Sequence, residues 1–108
     1  MLLFAAQFTS CEKYVLPDLS FTPDTLWFSA QADSQRVELT TNVITTAEPE
    51  DNVYWLYADP QWTDEITTVY IHVQQNLSTR QRSAQIIFKS ESLQHNLMVF
   101  QEAGPEED

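Results

Sequence analysis

The chain has 108 residues, enough for one domain with a single modest core, and carries a formal charge of −11 from 16 acidic and 5 basic side chains. That balance excludes nucleic acid and anionic membrane surfaces as partners. Both are held by clustered Lys and Arg, whereas Lys13, Arg36, Arg80, Arg82 and Lys89 form no dense run. A single cysteine, Cys11, excludes a disulfide framework within the chain.

The first predicted element is an export leader. "MLLFAAQFTSC" runs from apolar residues into Thr9 and Ser10 directly before Cys11. It falls short of the roughly 20 apolar residues that a membrane-spanning helix needs. Phe8, Thr9, Ser10 and Cys11 resemble the lipobox of bacterial lipoproteins, a family whose signal is cut before a cysteine that then carries a diacylglyceryl group. The resemblance implies removal of residues 1–10, lipidation at Cys11 and a tether over 11–18. Each buried methylene contributes about 0.8 kcal/mol, so two or three acyl chains hold a protein on a membrane where one does not. The membrane would be touched through that anchor alone. The competing reading is a free thiol in an N-terminal strand or tail.

Beyond the tether the period-2 signal of strands dominates, with no apolar run at helical spacing between caps. "LSFTPDTLWFSA" (19–30) predicts two short extended pieces around Pro23, with Leu26, Phe28 and Ala30 on one face and Trp27 on the other. "QRVELTTN" (35–42) alternates Val37, Leu39 and Thr41 against Arg36, Glu38 and Thr40. "NVYWLYA" (52–58) is apolar on both faces, and "TTVYIHVQQN" (67–76) sets Val69, Ile71 and Val73 against Tyr70, His72 and Gln74. "SAQIIFKS" (83–90) and "HNLMVFQEA" (95–103) complete the set. "SAQADSQ", "AEPED", "DPQWTDE", "NLSTRQ" and "SESLQ" read as turns, built on Asp, Asn, Ser and Pro because Gly104 is the only glycine. Turn signals at such spacing predict an all-β antiparallel sandwich of about seven strands over 19–104, followed by an acidic tail at 105–108.

Several positions in order resemble the BACON domain, an immunoglobulin-like β-sandwich module of Bacteroidetes envelope and secreted proteins. They are Trp55 and Trp62, Val73 and Asn76, Arg82 with Ala84 and Ile86, then Val99, Gln101 and Gly104. The resemblance implies an immunoglobulin-like topology, a cell-envelope location (outer membrane, periplasmic or surface-exposed) and an association with complex carbohydrate. It also implies that Trp55 and Trp62 pack into the core. Some members of the family serve only as spacers that hold a partner domain away from the membrane.

The residues themselves argue against catalysis. Asp59, Asp64 and Glu65 are near one another in "DPQWTDE", but carboxylates in a polar loop are usually only solvated, and a domain of this size offers little room for a deep sugar cleft. His72 and His95 have no metal-site spacing, and "EPED" (48–51) is too short a ligand run for calcium, so neither a metal nor another cofactor is expected. The plausible binding equipment is aromatic. A sugar ring presents an apolar C–H face that a flat Trp or Tyr covers while polar neighbours bind its hydroxyls. Trp27 and Tyr70 are expected to point outward, with Tyr54 and Tyr57 as candidates to join them in a glycan-binding patch. The expectation is therefore a non-catalytic, lipid-anchored envelope protein that binds mucin or polysaccharide. The alternative is a spacer or protein-contact module of a surface assembly, with an envelope protein as partner.

Overall fold

The computed structural model describes residues 16–105. Cys11, the leader, most of the tether and the last three tail residues lie outside them. Nine strands and no helix are formed by the described residues: β1 (Leu19–Thr22), β2 (Thr25–Phe28), β3 (Asp33–Thr41), β4 (Thr45–Pro49), β5 (Leu56–Asp59), β6 (Trp62–Thr63), β7 (Thr67–Val73), β8 (Arg82–Lys89) and β9 (Gln94–Gln101). They build two sheets, in the orders β1-β3-β7-β5 and β2-β9-β8-β4-β6. The result is the expected all-β sandwich, with nine strands in place of seven.

Side-chain alternation explains how the sheets face each other. Val37, Leu39, Val69, Ile71 and Val73 of the first sheet point inward, as do Leu26, Phe28, Ala84, Ile86, Phe88, Leu97 and Val99 of the second. Successive residues of a strand face opposite ways, so the residues between them form the two outer faces. Phe88 is fully buried and its ring lies 4.6 Å from that of Phe21, which ties β8 to β1 across the core.

Prolines mark two of the places where the chain changes sheets. Pro23 separates β1, which pairs antiparallel with β3, from β2, which pairs parallel with β9. Pro60 separates β5 in the first sheet from β6 in the second. A proline cannot donate to a ladder, so pairing stops there and the chain crosses over. The β2–β9 pair departs from the antiparallel expectation. A second departure is "AEPED", read as a turn, whose first residues belong to β4. Thr45 and Ala47 face the core from a strand that ends at Pro49, and these small side chains give little hydrophobic signal. "NVYWLYA" is strand only from Leu56. Asn52 has a φ of 66°, a left-handed conformation that Asn tolerates and that turns the chain ahead of β5.

One end of the sandwich is closed by a polar clasp. Arg82 donates from Nε to Gln101 Oε1 (2.7 Å) and from one terminal nitrogen to the carbonyls of Gln74 (3.0 Å) and Gln75 (3.3 Å). Gln101, fully buried, donates in turn to the carbonyls of Gln74 (2.9 Å) and Ala30 (3.4 Å). Asn76, also fully buried, donates to the carbonyls of Arg80 and Glu102, both at 2.9 Å, and accepts from the Ser78 N–H at 3.0 Å. Gly104 is held beside them by its N–H on the Ser78 carbonyl at 2.7 Å. Among the described residues no buried side-chain nitrogen or oxygen lacks a partner. Buried polar groups that are fully satisfied fix a unique arrangement instead of destabilising it.

Candidate functional site

The outer face of the first sheet carries the most developed candidate. On β5 and β7, Tyr57 is opposite His72 and Asp59 is opposite Tyr70. On the other side of β7, Ser34 is opposite His72 and Arg36 is opposite Tyr70. The register therefore places Tyr57 and Tyr70 on a diagonal, the second-nearest cross-strand relation, within reach of large side chains. Inward neighbours Ala58, Val69, Ile71 and Val73 force this orientation, because burying them turns the intervening residues out. The Tyr57 and His72 rings stack with centroids 4.6 Å apart and planes 10° from parallel. Tyr57 remains 44% exposed and Tyr70 45%, so both still present ring surface to solvent.

This strip runs into an open cleft of about 510 Å³ lined by Asp33, Ser34, Tyr57, His72, Gln74 and Gln75 among others. The aromatic surface thus meets hydroxyl, amide and carboxylate groups at one edge. The backbone of the cleft wall at Gln74 and Gln75 is held by the Arg82 contacts described above. Further along the face, Thr68 donates to Glu38 at 2.9 Å.

The four aromatics expected to form one patch are not brought together. Trp27 points outward, 60% exposed, but on the opposite face of the molecule, where it stacks on Phe100 at 4.3 Å and 13°. Tyr54 is 80% exposed on the turn before β5, beside a separate cleft lined by Glu48, Glu50 and Asp51. Tyr57 and Tyr70 alone share a face.

Trp55 and Trp62 also part company. Trp55 is half-buried against the core with the Arg82 guanidinium 4.3 Å above its ring. Trp62 is 61% exposed, which corrects the expectation of core packing. Its two-residue strand is an edge of the second sheet, and its partner there, Thr46, faces outward whereas Thr45 is buried. The carboxylates of "DPQWTDE" are divided as well. Asp59 ends β5 on the first sheet, and Asp64 follows β6 on the second and lines a cleft at the far end with Glu91. Among the described residues no three His, Cys, Asp or Glu side chains come together where they could hold a metal ion.

Desolvation lowers the pKa of the Arg82 guanidinium from its ordinary value, and the aromatic face and three acceptor oxygens around it favour the charge. His72 and the cleft residues were not expected as partners of Tyr57. Their proximity is set by cross-strand register, which the spacing of a single strand does not encode.

Comparison with known proteins bears on the fold. No protein-family model matches the chain, and no curated protein does either. Among solved structures, the Bacteroides ovatus GH5 xyloglucanase in complex with a XXXG heptasaccharide matches over 86% of this chain with a TM-score of 0.72 and 16% identity. The chain covers 20% of that enzyme's length. A protein from Bacteroides thetaiotaomicron solved by NMR matches with a TM-score of 0.54 and 11% identity, over 87% of this chain and 94% of its own. WR4, a C. elegans MSP family member, gives 0.52 and 11%, over 80% and 97% respectively. At such identities the likeness is one of fold.

Proposed function

We propose that this protein is a non-catalytic, BACON-like module of a bacterial cell envelope, anchored through a lipidated Cys11, that binds glycan through the Tyr57–His72–Tyr70 face. The observation that carries this reading is the strip itself: two half-exposed tyrosines on one sheet face, one stiffened by ring stacking, beside an open polar cleft. A flat aromatic surface next to hydrogen-bonding groups complements a pyranose, which has an apolar C–H face and a rim of hydroxyls. The family resemblance and the two Bacteroides proteins of similar fold support the setting. Affinity gel electrophoresis in soluble polysaccharide tests the reading: retardation is expected, and the double substitution Tyr57→Ala, Tyr70→Ala removes it. Free migration of the unsubstituted protein in all gels contradicts it. Fatty-acid labelling of the full-length protein in a bacterial host, lost on Cys11→Ala, tests the anchor.

A second reading, the spacer, is favoured by the path of the chain. The first described residues are held at Asn42, whose side chain donates to the Leu16 carbonyl and accepts from the Asp18 N–H. The last are held at Asn76 and Ser78. β3 runs between those two ends, from Asp33 opposite Val73 to Thr41 opposite Leu19. Nine extended residues span about 30 Å. A module threaded in this way would hold apart whatever is attached at its two ends.

A further inference from the structure

We infer that the glycan is a neutral, hydroxyl-rich chain that lies across the first sheet from Tyr70 over Tyr57 and ends in the cleft at Ser34, Gln74 and Gln75. The inference rests on the reading of this face as glycan-binding and adds the chemical class of ligand and its path.

Charge selects against acidic sugars. Glu38 and Asp59 share the outer face with the strip and Asp33 lines the cleft, against Arg36 on the same face and Arg82 behind the cleft wall. At physiological salt, interactions reach about 8 Å, so these near groups count for more than the remote acidic clusters, and the wider molecule at −11 adds repulsion of the same sign. A uronate or sulfate group would meet more carboxylates than guanidinium groups, one of which, Arg82, is already engaged by Gln101 and the cleft-wall carbonyls.

The cleft wall supplies what a hydroxyl needs. Each Gln amide offers an acceptor and two donors, and Ser34 offers both in one atom. The Gln74 and Gln75 carbonyls are fixed by Arg82, and Gln74 by Gln101 as well, so the segment that presents these amides is already ordered. Ordering before binding removes an entropic cost that a mobile loop would incur on contact.

The test is affinity gel electrophoresis of the full chain in a soluble β-glucan, a galactomannan and polygalacturonate, each at about 0.01 M salt, where the Debye length is about 30 Å, and at about 0.5 M, where it is about 4 Å. Retardation is expected in at least one neutral gel, unchanged by salt, and absent in polygalacturonate. The double variant Gln74→Ala, Gln75→Ala, both exposed side chains, should weaken retention about 3- to 30-fold. Retardation in polygalacturonate that Tyr57→Ala removes overturns the neutral class but leaves the face as a glycan site. Neutral binding indifferent to the glutamine variant overturns the path into the cleft. Failure in all three gels overturns this inference together with the reading beneath it.

Discussion

The guanidinium of Arg82 lies 4.3 Å from the centre of the Trp55 ring while it also reaches Gln101 and the carbonyls of Gln74 and Gln75. One side chain thus ties β8 and β9 of one sheet to the end of β7 in the other and caps an aromatic from the turn before β5. Arg82→Ala leaves Gln101 Oε1 without that partner in a fully buried residue. The expected loss is about 2–3 kcal/mol in urea denaturation. Arg82→Lys keeps the charge but not the planar fork, and should recover less than half of it.

Gly104 is required by space and not by backbone conformation. It has no positive φ, but a Cβ there would collide with the backbone oxygen of Asn76 and crowd that of Ser78. Gly104→Ala should cost about 1–3 kcal/mol, read as a lower urea midpoint with an unchanged m-value. Because the obstructing atom is backbone, Asn76→Ala should not relieve the cost.

Phe88→Ala empties the centre of the core, where Phe88 is fully buried against Phe21. A loss of about 3–5 kcal/mol is expected. That amounts to a drop of at least about 12 °C in Tm for a domain of this size.

Trp27→Ala separates stability from binding. The stack on Phe100 contributes about 0.5–1.5 kcal/mol beyond the area it covers, so the variant should unfold earlier by that order. Its migration in a polysaccharide gel should match the parent, since Trp27 is on the outer face of the other sheet.

The body of the fold was legible in strand alternation. Val37, Leu39, Val69, Ile71, Val73, Ala84, Ile86, Leu97 and Val99 all face the core as period-2 reading requires. Two short strands were not legible: β4 hides behind Thr, Ala and Pro, and the edge strand β6 has two residues. Of the residues that carry the family resemblance, Trp55, Asn76, Arg82, Gln101 and Gly104 gather in the clasp, Val73, Ala84, Ile86 and Val99 are in the core, and Trp62 is on an edge. The clasp residues mark how the sandwich is closed. The candidate site was half legible. Alternation turned Trp27 and Tyr70 outward correctly, but which sheet each strand joins decides whether two outward residues meet. That depends on the crossovers at Pro23 and Pro60.

The most direct measurement is an amide-resolved NMR titration of the ¹⁵N-labelled protein with oligosaccharides of a neutral β-glucan. The account predicts shifts concentrated at Tyr57, Tyr70, His72, Gln74 and Gln75, with Trp27 and Phe100 still. Shifts centred on Trp27, Met98 and Phe100, or a spectrum that does not change at millimolar ligand, would contradict it.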